Sequence, residues 1–202
     1  PQATTPPVGV KFDAAPLQSG GFSLPVQRLA TDGMQAAWHM EACMRHWLAP
    51  MRDAVTSPAL RGCLAEMLGE RDAQMERLQR AMAAFGVSHD DPREPAHPPA
   101  MSGFGGEVPG GPLLDLAAAL VAHTEQARLL SAYDTLEPVA AVSSASEAAP
   151  HLAQCAASAR QAVTRLGALC RDRLVPDAAQ AEGPPLPCDL IHRIFGVSPG
   201  GG

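Results

Sequence analysis

The chain has 202 residues, a formal net charge of −6 and 46% hydrophobic residues, enough for one domain with a real core and too apolar for a wholly disordered protein. No run of about 18 apolar residues occurs, so no membrane span is expected, and no basic stripe offsets the negative charge, so nucleic acid is not an expected partner. Five scattered cysteines make no disulfide framework, while 18 glycines and 20 prolines cut the chain into segments.

Residues 1–30 carry too many Pro and Gly for a helix, and they lack the charged and apolar regions of a signal peptide. Their spaced apolar residues (Val8, Val10, Phe12, Leu17, Phe22, Leu24, Val26) suggest an extended arm lying on a surface; the alternative is a disordered tail. A cytoplasmic location is the expectation. A first helix is expected after Thr31 or Asp32, either of which can cap it. Met44, Leu48, Met51 and Val55 form its core face, flanked by Met40 and Trp47, and Pro50 should kink or end it.

The second helix has the clearest start, with Ser57 as N-cap and Pro58 at the first helical position. Leu60, Leu64, Met67, Met75, Leu78, Met82 and Phe85 form its stripe, and Gly86 is its expected stop. Residues 87–111 are a Pro- and Gly-rich loop, long enough to be a crossover. A third helix is expected from Pro112 to Glu137, ended by Pro138, with Leu116, Leu120, His123, Ala127 and Leu130 on one face. A fourth opens near Ser143, Ser144 or Ser146 and stops before Pro176, with Leu152, Cys155, Ala159, Ala162, Val163, Leu166, Leu169 and Cys170 as its stripe.

Residues 176–188 are Pro-rich, and the following CDLIHRIFG is a short amphipathic unit with Leu190, Ile191, Ile194 and Phe195 as its apolar residues. Such a unit is too small to fold alone. It is expected either to dock into a partner's groove or to pack back on its own domain. The expected organisation is an N-terminal arm (1–30), an all-α four-helix bundle (31–175) and a Pro-rich linker with a docking segment (176–202). Two helical hairpins joined by a long crossover give the ferritin-like connection.

TSPALRGCLAEMLGERDAQMERLQRAMAAFGV resembles the second helix of the YciE/YciF-type ferritin-like family, and LLDLAAALVAHTEQARLLSAYDTLEPVA resembles its third. Tyr133, Asp134, Thr135 and Leu136 stand where the family has Tyr-Gly-Thr-Leu, and the likeness spans roughly residues 35–172. The resemblance implies a two-metal site of inward Glu and His residues. Glu41 and Glu70 match that pattern, but Arg71 replaces a Thr, the family's helix-two His falls at Met67, and its helix-three carboxylates fall at Gln126 and Leu129. Its acidic run on the fourth helix falls at Gln154, Ala157 and Ser158. A di-iron centre needs about four carboxylates and two His, so the expectation is no metal, no cofactor and no catalytic residue.

Two remnant sites are the alternatives, holding Fe, Zn or Cu. One is Glu41, Glu70 and His123. The other is His39, Cys43 and His46, which lie within about 60° of one another on helix one; the plainer reading makes them boundary residues beside the core. The methionines of the first two helices (such as Met34, Met67 and Met82) are core at this spacing rather than a copper surface. Arg71 falls inside the helix-two stripe, where a charge must be paired, and Glu41 is the expected partner. The expected function is that of a non-enzymatic structural or interaction protein that binds a protein partner, or itself as a homodimer, through its terminal arms. The alternative is a metal-binding protein of stress protection.

Overall fold

The computed structural model describes residues 24–88 and 110–182. Four long helices dominate: α1 (Leu24–Ala54), α2 (Pro58–Ala84), α3 (Pro112–Ala141) and α4 (Ala149–Leu169). A 3-10 turn (Ser146–Ala148) leads into α4, and a π-helical turn (Cys170–Leu174) joins it to a short α5 (Val175–Ala179). No strand occurs among the described residues.

α1 pairs with α2 and α3 with α4; α1 also packs on α3 and α2 on α4, leaving α2 and α3 diagonal. α3 starts beside the α1–α2 turn, because Asp115 bonds to Thr56 and Ser57 there. α2 ends at the opposite pole, so the chain between Ser88 and Gly110 connects the two ends of the bundle. This is the expected crossover. α1 and α3 approach closely at Gly33, where a Cβ would stand 3.0 Å from Leu136 Cδ2.

The stops and starts of α2 follow the sequence. Ser57 Oγ accepts from the Leu60 N–H at 3.4 Å, and Pro58 fills the first turn. Gly86 adopts φ +69°, and the Gly86 and Val87 N–H groups donate back to the Ala83 and Met82 carbonyls. This is the paired bonding of a Schellman cap, which favours Gly at that position.

Four expectations about helix boundaries are corrected. α1 begins at Leu24, so residues 24–30 of the expected arm are helical; Pro25 sits in the first turn, where its missing N–H is harmless, and Ala30 and Met34 are buried. α1 also runs through Pro50, so of the kink or end expected there the end does not occur, and α3 runs through Pro138 to Ala141. A helix-interior proline costs about 3 kcal/mol, but Leu48, Met51 and Val55 around the first, and Leu136 and Ala140 around the second, are buried. Each large side chain so buried contributes about 1.5–3 kcal/mol, which outweighs the break at Pro50 and offsets much of it at Pro138. Finally, the helical path continues past Pro176 to Ala179. The π turn changes the bonding so that the Val175 N–H reaches the Cys170 carbonyl, and Pro176 falls in the first turn of α5.

The fifth correction is rotational. Leu116, Leu120, His123, Ala127 and Leu130 are all only half-buried. The buried line on α3 is Asp115, Ala119, Ala122, Gln126 and Leu129, continuing through Tyr133, Leu136 and Ala140. Each of the first five lies one residue before its expected counterpart, a turn of about 100°. Three half-buried leucines set the expected face, whereas the first half of the true one is made mainly of alanines and polar residues, with Leu129 and Leu136 joining further on. The expected stripes of α1, α2 and α4 do face the core, except that Val163 of α4 is only half-buried at its edge.

Candidate functional site

Every backbone N–H in the middle of a long helix is used in the helical ladder, so a carboxylate buried there needs side-chain donors. Each of the four helices sends at least one polar group inward. Glu41 comes from α1, Arg71 from α2, Tyr133 from α3 and Cys155 from α4, and all four residues are buried.

Glu41 is the hub. Its Oε2 accepts from Arg71 Nη1 at 2.5 Å, and its Oε1 accepts from the Tyr133 hydroxyl at 2.7 Å. Arg71 is anchored separately: its Nε donates to the Met67 carbonyl at 3.0 Å, and Nη1 lies 3.9 Å from Met44 Sδ. The pairing of Arg71 with Glu41, expected from the charge inside the α2 stripe, is therefore present. Desolvation pushes the Glu41 carboxyl above its ordinary range, against the opposing pull of Arg71 and Tyr133. Burial and the adjacent Glu41 charge raise the Tyr133 phenol well above 10. Burial, then Glu41, pushes the Cys155 thiol up to about 12, so it stays protonated and a poor nucleophile.

Gln74 and Gln126 complete the polar interior. Both are 0% exposed, and neither the amide nitrogen nor the amide oxygen of either has a hydrogen-bond partner among the described residues. Sequence reasoning missed Gln74, although its place on the α2 stripe one turn after Arg71 was a readable signal. It placed Gln126 only as a lost carboxylate, and it missed the Tyr133 contact because the α3 face was rotated.

The remnant metal set is not brought together. Glu41 is central, Glu70 is exposed and His123 is half-buried. Glu70 lies one residue from the inward Arg71, and that single step carries it to the rim of a shallow cleft with Glu66 and Arg165. His123 lies one residue from the buried Ala122 and packs toward α4, where its Nε2 would be 3.6 Å from a Cβ on Gly167. His39 and His46 are exposed and Cys43 half-buried, because their shared side of α1 faces away from the core line of Ala37, Glu41, Met44 and Leu48. No three His, Cys, Asp or Glu residues are grouped to hold a metal ion among the described residues. Leu190, Ile191, Ile194 and Phe195, the expected partner-binding residues, lie outside the described residues, as do residues 1–23.

The donors of the centre do not fit a two-metal site. One carboxylate is present, both its oxygens are engaged, and the other groups are two neutral amides, a protonated thiol and a protonated phenol. That set offers one negative charge, already matched by Arg71, where two divalent ions would need several.

Four antiparallel-paired helices, a pole-to-pole crossover and inward polar groups at mid-height define a ferritin-like four-helix bundle. A family profile described as "Domain of unknown function (DUF892)" matches residues 26–179. The chain belongs to that family, and its fold is of the YciF-type ferritin-like kind. The structure is similar to that of the E. coli stress protein YciF, with a TM-score of 0.59 at 16% identity, covering 77% of this chain and 98% of that one. It is also similar to a two-domain protein from Anabaena variabilis containing DJ-1/ThiJ/PfpI-like and ferritin-like domains, with a TM-score of 0.54 at 15% identity. That match covers 83% of this chain and 41% of the Anabaena protein. No match to a curated protein sequence was found. No helix among the described residues is long and apolar enough to cross a membrane.

Proposed function

We propose that this chain works without catalysis, as a ferritin-like structural or interaction protein whose centre is closed by an ion pair. The observation that carries this reading is the complete engagement of Glu41, by Arg71 on one oxygen and Tyr133 on the other. The acid that would otherwise serve a metal is spent on holding helices together. The terminal segments then carry the interaction, with Leu190, Ile191, Ile194 and Phe195 as the apolar contact to a protein partner or to a second copy. The likeness to a stress protein supports a role in the stress response, and the reading includes a cytoplasmic location.

Metal analysis of the purified full chain tests the centre. Substoichiometric Fe, Zn and Cu are expected; one equivalent or more of any of them overturns the reading in favour of a metal-binding stress protein. Comparing sedimentation of the full chain with a chain ending at Pro187 tests the second-copy form of the contact. Loss of self-association on truncation supports it, and association unchanged by truncation removes the segment from that role.

A further inference from the structure

Removing Arg71 from the centre in thought leaves a buried carboxylate, a phenol hydroxyl, a thioether and a thiol, contributed by α1, α3 and α4. A carboxylate in such a place is costly without a cation. Gln74 and Gln126 add two fully buried amides with all four polar atoms unpartnered. Buried amides are normally satisfied, and an unsatisfied one in a folded protein calls for a water or an ion. The interior is therefore more polar than the Glu41–Arg71–Tyr133 network itself requires.

We infer that the centre of the bundle is a site for a small cation, that the chain supplies this cation itself as the Arg71 guanidinium, and that Gln74 and Gln126 are the rest of its polar lining, satisfied by enclosed water. Native protein then excludes any free cation, because the place is taken by a side chain anchored through its Nε to the Met67 carbonyl. Shortening that side chain opens the place while leaving Glu41 behind. This deepens the metal-free reading of the same centre, but it stands or falls on a different measurement.

The probe is the guanidinium ion at low millimolar concentration, with sodium and the bulkier choline as ionic-strength controls. Thermal unfolding is followed in the full chain for wild type, Arg71→Ala, Arg71→Lys and the double variant Glu41→Gln/Arg71→Ala. Arg71→Ala is expected to melt lower than wild type and to recover several degrees, saturably, with guanidinium but not with sodium or choline. Wild type and Arg71→Lys, which carry their own cation, should not gain, and neither should the double variant, which lacks the carboxylate. If Arg71→Ala does not fold in sodium, the readout becomes recovery of its helical signal in low guanidinium. No selective recovery, or equal recovery in the double variant, overturns the inference. Stoichiometric metal in wild type would instead overturn the proposed function, so the two failures are distinguishable.

Discussion

Two buried carboxylates in this bundle are kept by different means. Asp115, 3% exposed, lies at the pole where α2 begins, and it accepts from the Thr56 N–H at 2.7 Å, the Thr56 hydroxyl at 2.7 Å and the Ser57 N–H at 2.8 Å. Glu41, 0% exposed, lies at mid-height and is held by a guanidinium and a phenol. The start of a helix has backbone N–H groups with no partner in the ladder and a favourable dipole, so an acid is stabilised there by the fold's own backbone. The middle of a helix has no such groups to spare. An acid there must recruit side chains from neighbouring helices, and one of them must carry charge. The pole accommodates an acid as a by-product of helix geometry; the centre needs a built network.

The largest test of this difference removes the charge. Arg71→Ala should destabilise by about 3–5 kcal/mol in denaturant unfolding, because it strands a buried carboxylate. The double variant Glu41→Leu/Arg71→Met should return close to wild type or exceed it, since apolar packing replaces an ion pair that was costly to desolvate. A single-variant cost below about 1 kcal/mol would erase the contrast between centre and pole. Asp115→Ala should cost about 2 kcal/mol, the loss of three hydrogen bonds whose donors sit near water. Asp115→Asn, which keeps an acceptor, should cost less.

Tyr133→Phe should cost about 1.5 kcal/mol, the scale of one hydrogen bond to a charged group, and the loss should vanish in a Glu41→Leu background. The smallest effect is optical. Tyr133 is the single tyrosine of the chain, so phenolate absorbance reports on it alone. Its folded-state pKa is raised, so its contribution to stability is complete below the unfolded value near 10 and is lost as pH rises above that. Phenolate should appear only together with loss of helical signal; a free titration near pH 10 in folded protein would place the hydroxyl in water.

Much of this was legible in the sequence, and the parts that were not share a cause. The stripes of α1, α2 and α4 are drawn by large side chains, and they face the core as spacing says. Arg71 inside a stripe announced a buried charge, and Glu41 on the neighbouring hairpin helix was its expected partner. On α3 the core line passes through Ala119, Ala122, Gln126 and Tyr133, while Leu116, Leu120 and Leu130 stay half-buried at its edge. Small residues are buried where helices approach closely, and hydrophobicity gives them little weight. That one-residue rotation hid Asp115 and Gln126 and turned His123 inward on paper. The helix end at Pro138 was misjudged for a related reason: local propensity cannot see the tertiary burial that holds a helix together across a break; at Pro176 it is the π turn that carries the path on.

The crossover has a consequence of its own. α2 has 27 residues, so the path from its end to the start of α3 must climb about 40 Å. The segment between Ser88 and Gly110, at roughly 3.3 Å per extended residue, can reach about 70 Å. Halving that segment would leave the hairpins unable to fold onto each other within one molecule, though each could still embrace the complementary hairpin of another. The length of this tether therefore sets molecularity, and a shortened chain should emerge as a hairpin-exchanged dimer of otherwise unchanged bundles.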